Sequence, residues 1–437
     1  MPNKYSLMGT VAGLALLSGL TSAQAEEITI ATVNNGDMII MQELSPIWEK
    51  ETGNTINWVV LEENVLRQRV TTDIATGGGQ YDVMTIGSYE APIWGRQDWL
   101  TPLNDLPGFD YDDLIPTVAA NLSADDTLYA VPFYAESSFT LYRKDLFEKA
   151  GLTMPDQPTW EQIREFAAKL TDKPNEVYGL CLRGKPGWGE NLFVFGTMVN
   201  TFGGRWFDED WNATIDTPEW KAALDYYLDV MTKYGPPGAT SNGFNENQTL
   251  FQTGKCAMWI DATSAAGRVF DPTQSDVADK VAFTASPVAT VPKGNSAFWA
   301  WALAVPASSQ KQDVAKEFIS WATSADYVAL VGKEKGWVAV PPGTRLSTYK
   351  NPDYIAAAPF AATTLDAIQS ADPNDATAQP VPYAGIQYVS IPEFQGIGTT
   401  VGQNISAALS GSMTAEQALQ SSQRSAEREI RRAGYGN

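Results

Sequence analysis

The 437-residue chain carries 30 Lys and Arg against 51 Asp and Glu, no histidine and two cysteines. This balance argues against nucleic acid and anionic membranes as partners, because phosphate recognition needs clustered cations. The missing histidine removes Ser-His-Asp and Cys-His catalysis and, with so few cysteines, a Cys/His zinc site; no cofactor and no metal are expected, which leaves carboxylates, hydrogen bonding and aromatic stacking.

Residues 1–25 place Lys4 before an apolar run from Met8 to Leu20, followed by Ala23-Gln24-Ala25. This pattern is that of a signal peptide cleaved after Ala25, its apolar part too short to span a bilayer. The product is expected in a periplasm, and its roughly 410 residues fit two or three domains.

"EITIATV", "NTINWVVLE" and "YDVMTIG" read as strands separated by two helices. The first helix stops at Gly53. The second, in "NVLRQRVTTDIATGGG", sets Val65, Arg69 and Thr72 one turn apart and ends in glycines. Because Gly77-Gly78-Gly79 follow a helix and precede a strand, with no Lys, they terminate the helix and do not cradle phosphate. A βαβαβ order implies a parallel sheet with ligands beyond the strands' carboxyl ends. The residues standing there are Asn34, Asn35, Glu62, Glu63, Ser88 and Tyr89.

Past Ala130 an extended aromatic run leads into helices. Thr159 and Gln162 form a capping box, with Ile163, Phe166 and Leu170 as the buried face. Thr217, Pro218 and Gly235 bound a further helix. Two predicted strands, "YGLCLRG" and "GKCAMWI", carry Cys181 and Cys256. These are either buried thiols or a disulfide closing a loop of roughly 75 residues, worth about 4 kcal/mol in the chain-entropy model. In "FWAWALAVP" Trp299, Trp301 and Leu303 share one strand face. Facing changes where a strand passes between lobes, so one tryptophan is expected at a cleft and the next inside. Crossings near 132–138, 298–304 and 338–342 divide the chain into discontinuous lobes, 26–137 with 300–340 and 138–299 with 341–437.

The ordered blocks "GGGQYDVMTIGS", "YAVPFYAESSFTLYRKDLFEKAGL", "PTWEQI", "NTFGGRWFDED", "TPEWKAALDYY", "FQTGKCAMWID", "ALAVPASSQKQDVAKEFISWATS" and "GWVAVPPGTR" span nearly the whole mature chain. Together they resemble the extracellular solute-binding proteins of bacterial carbohydrate importers of the ATP-binding-cassette class, the group that includes maltose-binding protein. "LCLRGKPGWGEN", "FYAESSF" and "FWAWALAVP" look most like the sorbitol- and mannitol-type polyol binders. The resemblance implies an α/β fold of two lobes, each a mostly parallel sheet flanked by helices, joined by crossing hinge strands. It also implies a monomeric carrier that closes on a polyol and delivers it to a membrane permease, without catalysis.

A polyol needs hydrogen-bonding groups at fixed spacing and an apolar ring over its C–H face. The candidates for ring contact are Trp299, Trp188 in its glycine-flanked loop, and Trp337, with Trp301 and Trp259 behind them. Glu136 stands at the first crossing, where the resemblance places a cleft residue; Arg183 and Asp261 end strands of the second lobe. Asn34, Asn35, Glu62, Ser88 and Tyr134 complete the set. Alternatives are another mono- or oligosaccharide as ligand, or a secreted glycosidase, which needs only two carboxylates.

Overall fold

The computed structural model describes residues 25–436, so the expected signal peptide lies outside the described residues apart from its last position. Among the described residues ten strands run in chain order: β1 Glu27–Val33, β2 Thr55–Leu61, β3 Val83–Gly87, the hairpin β4 Ser123–Ala124 and β5 Thr127–Leu128, β6 Val131–Glu136, β7 Ser138–Arg143, β8 Met258–Ala262, β9 Val281–Ala285 and β10 Trp299–Ala304.

The first lobe is built on a five-stranded sheet of order β2-β1-β3-β10-β6. β1 pairs in parallel with β2 and β3, while β10 runs antiparallel to β3 and β6. β3, β6 and β10 are buried along their whole length, as strands covered on both faces should be. Helix α1, Gly36–Thr52, is capped by the Asn35 side chain, which accepts from Met38 N, and stops at left-handed Gly53. Helix α2, Glu63–Thr76, is capped by Glu62 and stops at left-handed Gly77. The glycine run is a helix terminator.

The buried face of α2 is not the row of Val65, Arg69 and Thr72 that the sequence sets one turn apart. It consists of Leu66, Arg67, Val70, Asp73 and Ile74, and Val65 is exposed. The face is rotated by one residue, which sends a charged side chain inward.

The second lobe's sheet, β8-β7-β9, is antiparallel, not mostly parallel as expected. No βαβ unit builds it, because β7 enters directly from the hinge and its partners arrive from later in the chain. The segment expected as the strand "YGLCLRG" docks alongside β8 by isolated parallel bridges, Tyr178 to Cys256 and Cys181 to Trp259. This brings the cysteines together as a disulfide with Cα atoms 5.9 Å apart. The Thr159–Gln162 capping box is present; Thr217 occupies its cap position without a side-chain bond to the backbone.

The lobes are joined where β6 passes into β7 through Ser137, whose N–H donates to Thr263 Oγ1 at 3.1 Å. Residues 286–298 return the chain to β10. The chain does not leave the first lobe at 341, the boundary expected from sequence. Ile115 N donates to Thr344 O at 3.0 Å, Leu346 N to Asp113 O at 2.8 Å, and the helix Ala361–Ser370 packs on β6. The return comes by Ile386, whose carbonyl accepts from Asn200 at 2.8 Å, and Phe394–Leu409 then packs on Pro218–Tyr234. Proline-rich "GWVAVPPGTR", expected to be extended, opens with a short helical turn at Trp337–Ala339 that touches the second lobe at Gly267, and the Arg345–Asp113 ion pair at 3.2 Å ties its end to the first lobe.

Candidate functional site

The carboxyl ends of β1 and β2, the starts of their helices, and the hinge ends of β6 and β10 form one wall of a cavity of about 240 Å³. The second lobe supplies the facing wall from residues 183–193, 244–246 and Gln387. The volume is below the roughly 300–1,000 Å³ usual for drug-sized ligands, and suits one small solute.

Each wall carries one buried guanidinium, held in the same manner. Arg67 in the first lobe donates through Nε and Nη2 to Glu63 Oε1 at 3.0 and 2.9 Å, and through Nη1 to Glu90 Oε1 at 2.7 Å. Its carbon centre sits 4.0 Å from the Trp188 ring and 4.7 Å from both Trp299 and Trp301. Arg183 in the second lobe donates through Nε and Nη2 to Asp261, the shortest bond 2.6 Å, and through Nη1 to Gly189 O at 2.8 Å. Phe193 and Phe244 flank it at 4.6 and 5.0 Å. Burial opposes both charges, but the paired carboxylates outweigh it and push both guanidinium pKa values up. A guanidinium has five N–H groups. Among the described residues, each arginine keeps two without a protein acceptor, and both line the cavity.

Acidic groups complete the wall. Glu136 ends β6 and its Oε2 accepts from Ser264 Oγ of the second lobe at 2.5 Å. Burial pushes its carboxyl up to about 8, against the opposing pull of Ser264 and Arg183, so near neutrality it carries a proton it can donate. Glu190 is pushed up to about 7 by burial and by the nearby Glu63 charge. Trp299 Nε1 is buried without an acceptor among the described residues.

Of the residues expected from sequence, Asn34, Asn35, Glu62, Tyr134, Glu136, Arg183, Trp188 and Trp299 line this cavity. Asn35 donates from Nδ2 to Tyr134 Oη at 3.0 Å while capping α1. Glu62 caps α2 with one oxygen and takes Lys185 Nζ across the cleft at 2.6 Å with the other. Trp301, expected inside if Trp299 met the cleft, lines it as well; the two rings meet edge to face at 5.5 Å.

Three expected residues are elsewhere. Asp261 stands behind Arg183, its oxygens taken up by that arginine and by Trp259 Nε1 at 3.0 Å, so it anchors a lining residue without lining the cavity itself. Ser88 is buried at the joint, its hydroxyl 3.3 Å from Tyr388 Oη. Trp337 packs against the Gly332 face of the helix Ala325–Lys335, away from the cavity. Trp259 is likewise core, against Phe244 and Phe251.

Sequence reasoning missed Arg67, Lys185, Gly189, Glu190, Asn245 and Gln387. Arg67 was not singled out, because the spacing of Val65, Arg69 and Thr72 marks a helix without marking which face is buried. Lys185, Gly189 and Glu190 lie in "GKPGWGEN", where only the tryptophan drew notice. Glu63 was marked simply by following β2.

The cleft is bridged at its rim. Besides Glu62–Lys185, Asn64 Nδ2 donates to Pro186 O at 3.2 Å and Asn245 Nδ2 to Asn34 O at 3.0 Å. Such a site can hold a small hydroxylated solute between two lobes.

Comparison with known proteins agrees with this geometry. The family model described as bacterial extracellular solute-binding protein matches residues 35–329. A mannitol-binding protein of Pseudomonas aeruginosa is 55% identical over 433 residues, covering 98% of this chain and 99% of its own. A solved solute-binding protein of an ABC transporter from Agrobacterium vitis S4, with bound D-mannitol, is 60% identical, with a TM-score of 0.93 over 94% of this chain and 100% of the other. One from Agrobacterium radiobacter K84, in complex with ribitol, is 25% identical with a TM-score of 0.81, covering 92% and 98%. The two-lobed architecture, the match across the hinge and the extent of these likenesses place the chain among the bacterial extracellular solute-binding proteins of ABC importers.

Proposed function

We propose that this chain is the polyol-binding component of an ABC importer, closing around an acyclic sugar alcohol such as mannitol and delivering it to the membrane permease. The observation that carries the reading is the pair of buried, charge-balanced guanidinium groups, one from each lobe, with unpaired N–H groups on a cavity of about 240 Å³. Hydroxyl oxygens along a flexible carbon chain can accept from both forks, and Glu136 and Trp299 Nε1 supply further donors. Arg67 occupies the space over three tryptophan rings. This leaves less flat aromatic surface for a pyranose to stack on and favours an open-chain solute over a cyclic sugar. The mannitol- and ribitol-bound relatives support the same ligand class. The family members are carriers, and the glycosidase alternative is set aside. Export with cleavage after Ala25, and action as a monomer, belong to the same proposal.

Calorimetric titration of the mature protein with hexitols, pentitols, hexoses and maltose tests it. Saturable binding is expected with mannitol or a near relative, and at least tenfold weaker binding with pyranoses. Binding of maltose alone would contradict the reading.

A further inference from the structure

Gly189 sits between the two guanidinium groups. Its carbonyl accepts from Arg183 Nη1 at 2.8 Å within the second lobe. Its Cα faces the first lobe so closely that an added Cβ would lie 1.9 Å from Glu63 Oε1 and 3.1 Å from both Nε and Nη2 of Arg67. Real Cβ contacts are not found under 3.0 Å, so a methyl here requires movement. A lone glutamate tip would swing aside at little cost. This one is held by two bonds from Arg67, which Glu90 and three tryptophan rings hold in turn. The ion pair and the second lobe therefore cannot both keep their places. Gly189 is also outside the left-handed backbone region, so the position itself accepts an L side chain. The three atoms nearest to the added Cβ all lie across the cleft.

We infer that the missing side chain at Gly189 is what lets the second lobe seat on the Glu63–Arg67 ion pair, making this position a determinant of lobe closure. The inference rests on the carrier reading above and adds a closure residue that does not need to touch the solute. Neighbouring Gly187 is different: its φ of 151° makes any substitution there a backbone change as well.

The test is Gly189→Ala, with spin labels on cysteines introduced at the exposed positions Lys50 and Lys221, one per lobe. The native cysteines are paired and do not compete for label. Without added solute, G189A is expected to melt within 2 °C of wild type, because the atoms nearest to the added methyl belong to the opposite lobe. With D-mannitol, the wild-type inter-lobe distance distribution should shift to its shorter population; that of G189A should not, and its affinity should fall at least tenfold. Adding Glu63→Asp, which shortens the opposing carboxylate, should restore closure to G189A at saturating mannitol. A G189A protein that closes and binds like wild type overturns the inference and leaves the polyol reading intact. A wild type that neither binds nor closes with any polyol overturns that reading. G189A that loses ligand-free stability, and that Glu63→Asp does not rescue, would show Gly189 to be needed inside its own lobe, which also overturns the inference.

Discussion

Arg67 decides how the tryptophans of this site are to be understood. Three rings crowd one guanidinium, so their faces hold a cation and position a hydrogen-bonding fork, a task that lysine cannot share. Arg67→Lys keeps the charge opposite Glu63 and Glu90 but loses the planar donors. It should weaken mannitol binding by roughly 1.5–3 kcal/mol, the worth of charge-assisted hydrogen bonds, while the protein stays folded. Calorimetry alongside a melting curve checks both. Trp299→Ala is a poorer probe: its ring lies against Gly87 and contacts Trp188, Trp301 and Tyr388, so truncation would cost stability, on the order of 3–5 kcal/mol for a core tryptophan. The face of α2 shows why Arg67 was not legible. In "ENVLRQRVTTDIAT" apolar residues are sparse, and a stripe through Val65 suits a helical period about as well as one through Leu66 and Val70. Tertiary packing chose between them.

At the scale of elements, the sequence declared the first lobe because local signals agreed: helix stops at Gly53 and in the Gly77-Gly78-Gly79 run, and alternation of strands with helices; the caps at Asn35 and Glu62 came only with the structure. It did not declare the second lobe's antiparallel sheet, since β7, β8 and β9 are separated by long helical insertions that carry no pairing signal. Nor did it declare the late boundary, because Thr344 and Leu346 reach the first lobe through backbone bonds and Arg345 through a guanidinium bonded to Thr323 O, Asp110 O and Asp113, partners distant in sequence that no local pattern marks. The cleft residues that were legible are those at strand ends, where topology alone marks a site. Trp188 is the exception, legible on a loop through its flanking glycines; the residues that were not legible sit inside a helix or on a loop with no such mark. The disulfide belongs to this scale too. It ties the 178–182 segment to the edge of β8, directly behind Arg183. Replacing both cysteines by serine removes a cross-link over 75 residues and should cost roughly 2–5 kcal/mol. The melting temperature should fall markedly, while affinity measured well below it changes less; equal melting curves would count against a stabilising role.

For the whole molecule, the question is what holds the lobes together. The rim pair Glu62–Lys185 is partly exposed, and such pairs contribute about 0–1 kcal/mol. Turning a 99:1 excess of open protein into a 99:1 excess of closed protein needs about 5.5 kcal/mol of differential binding. The rim cannot supply that, so the solute must, by accepting from Arg67 and Arg183 at once. The direct measurement is small-angle X-ray scattering of the mature protein with and without saturating D-mannitol. A smaller radius of gyration and a more compact profile in mannitol are expected, with no change in glucose or maltose. Superimposable profiles in every solute, from protein that calorimetry shows to be mannitol-bound, would contradict closure as the means of capture.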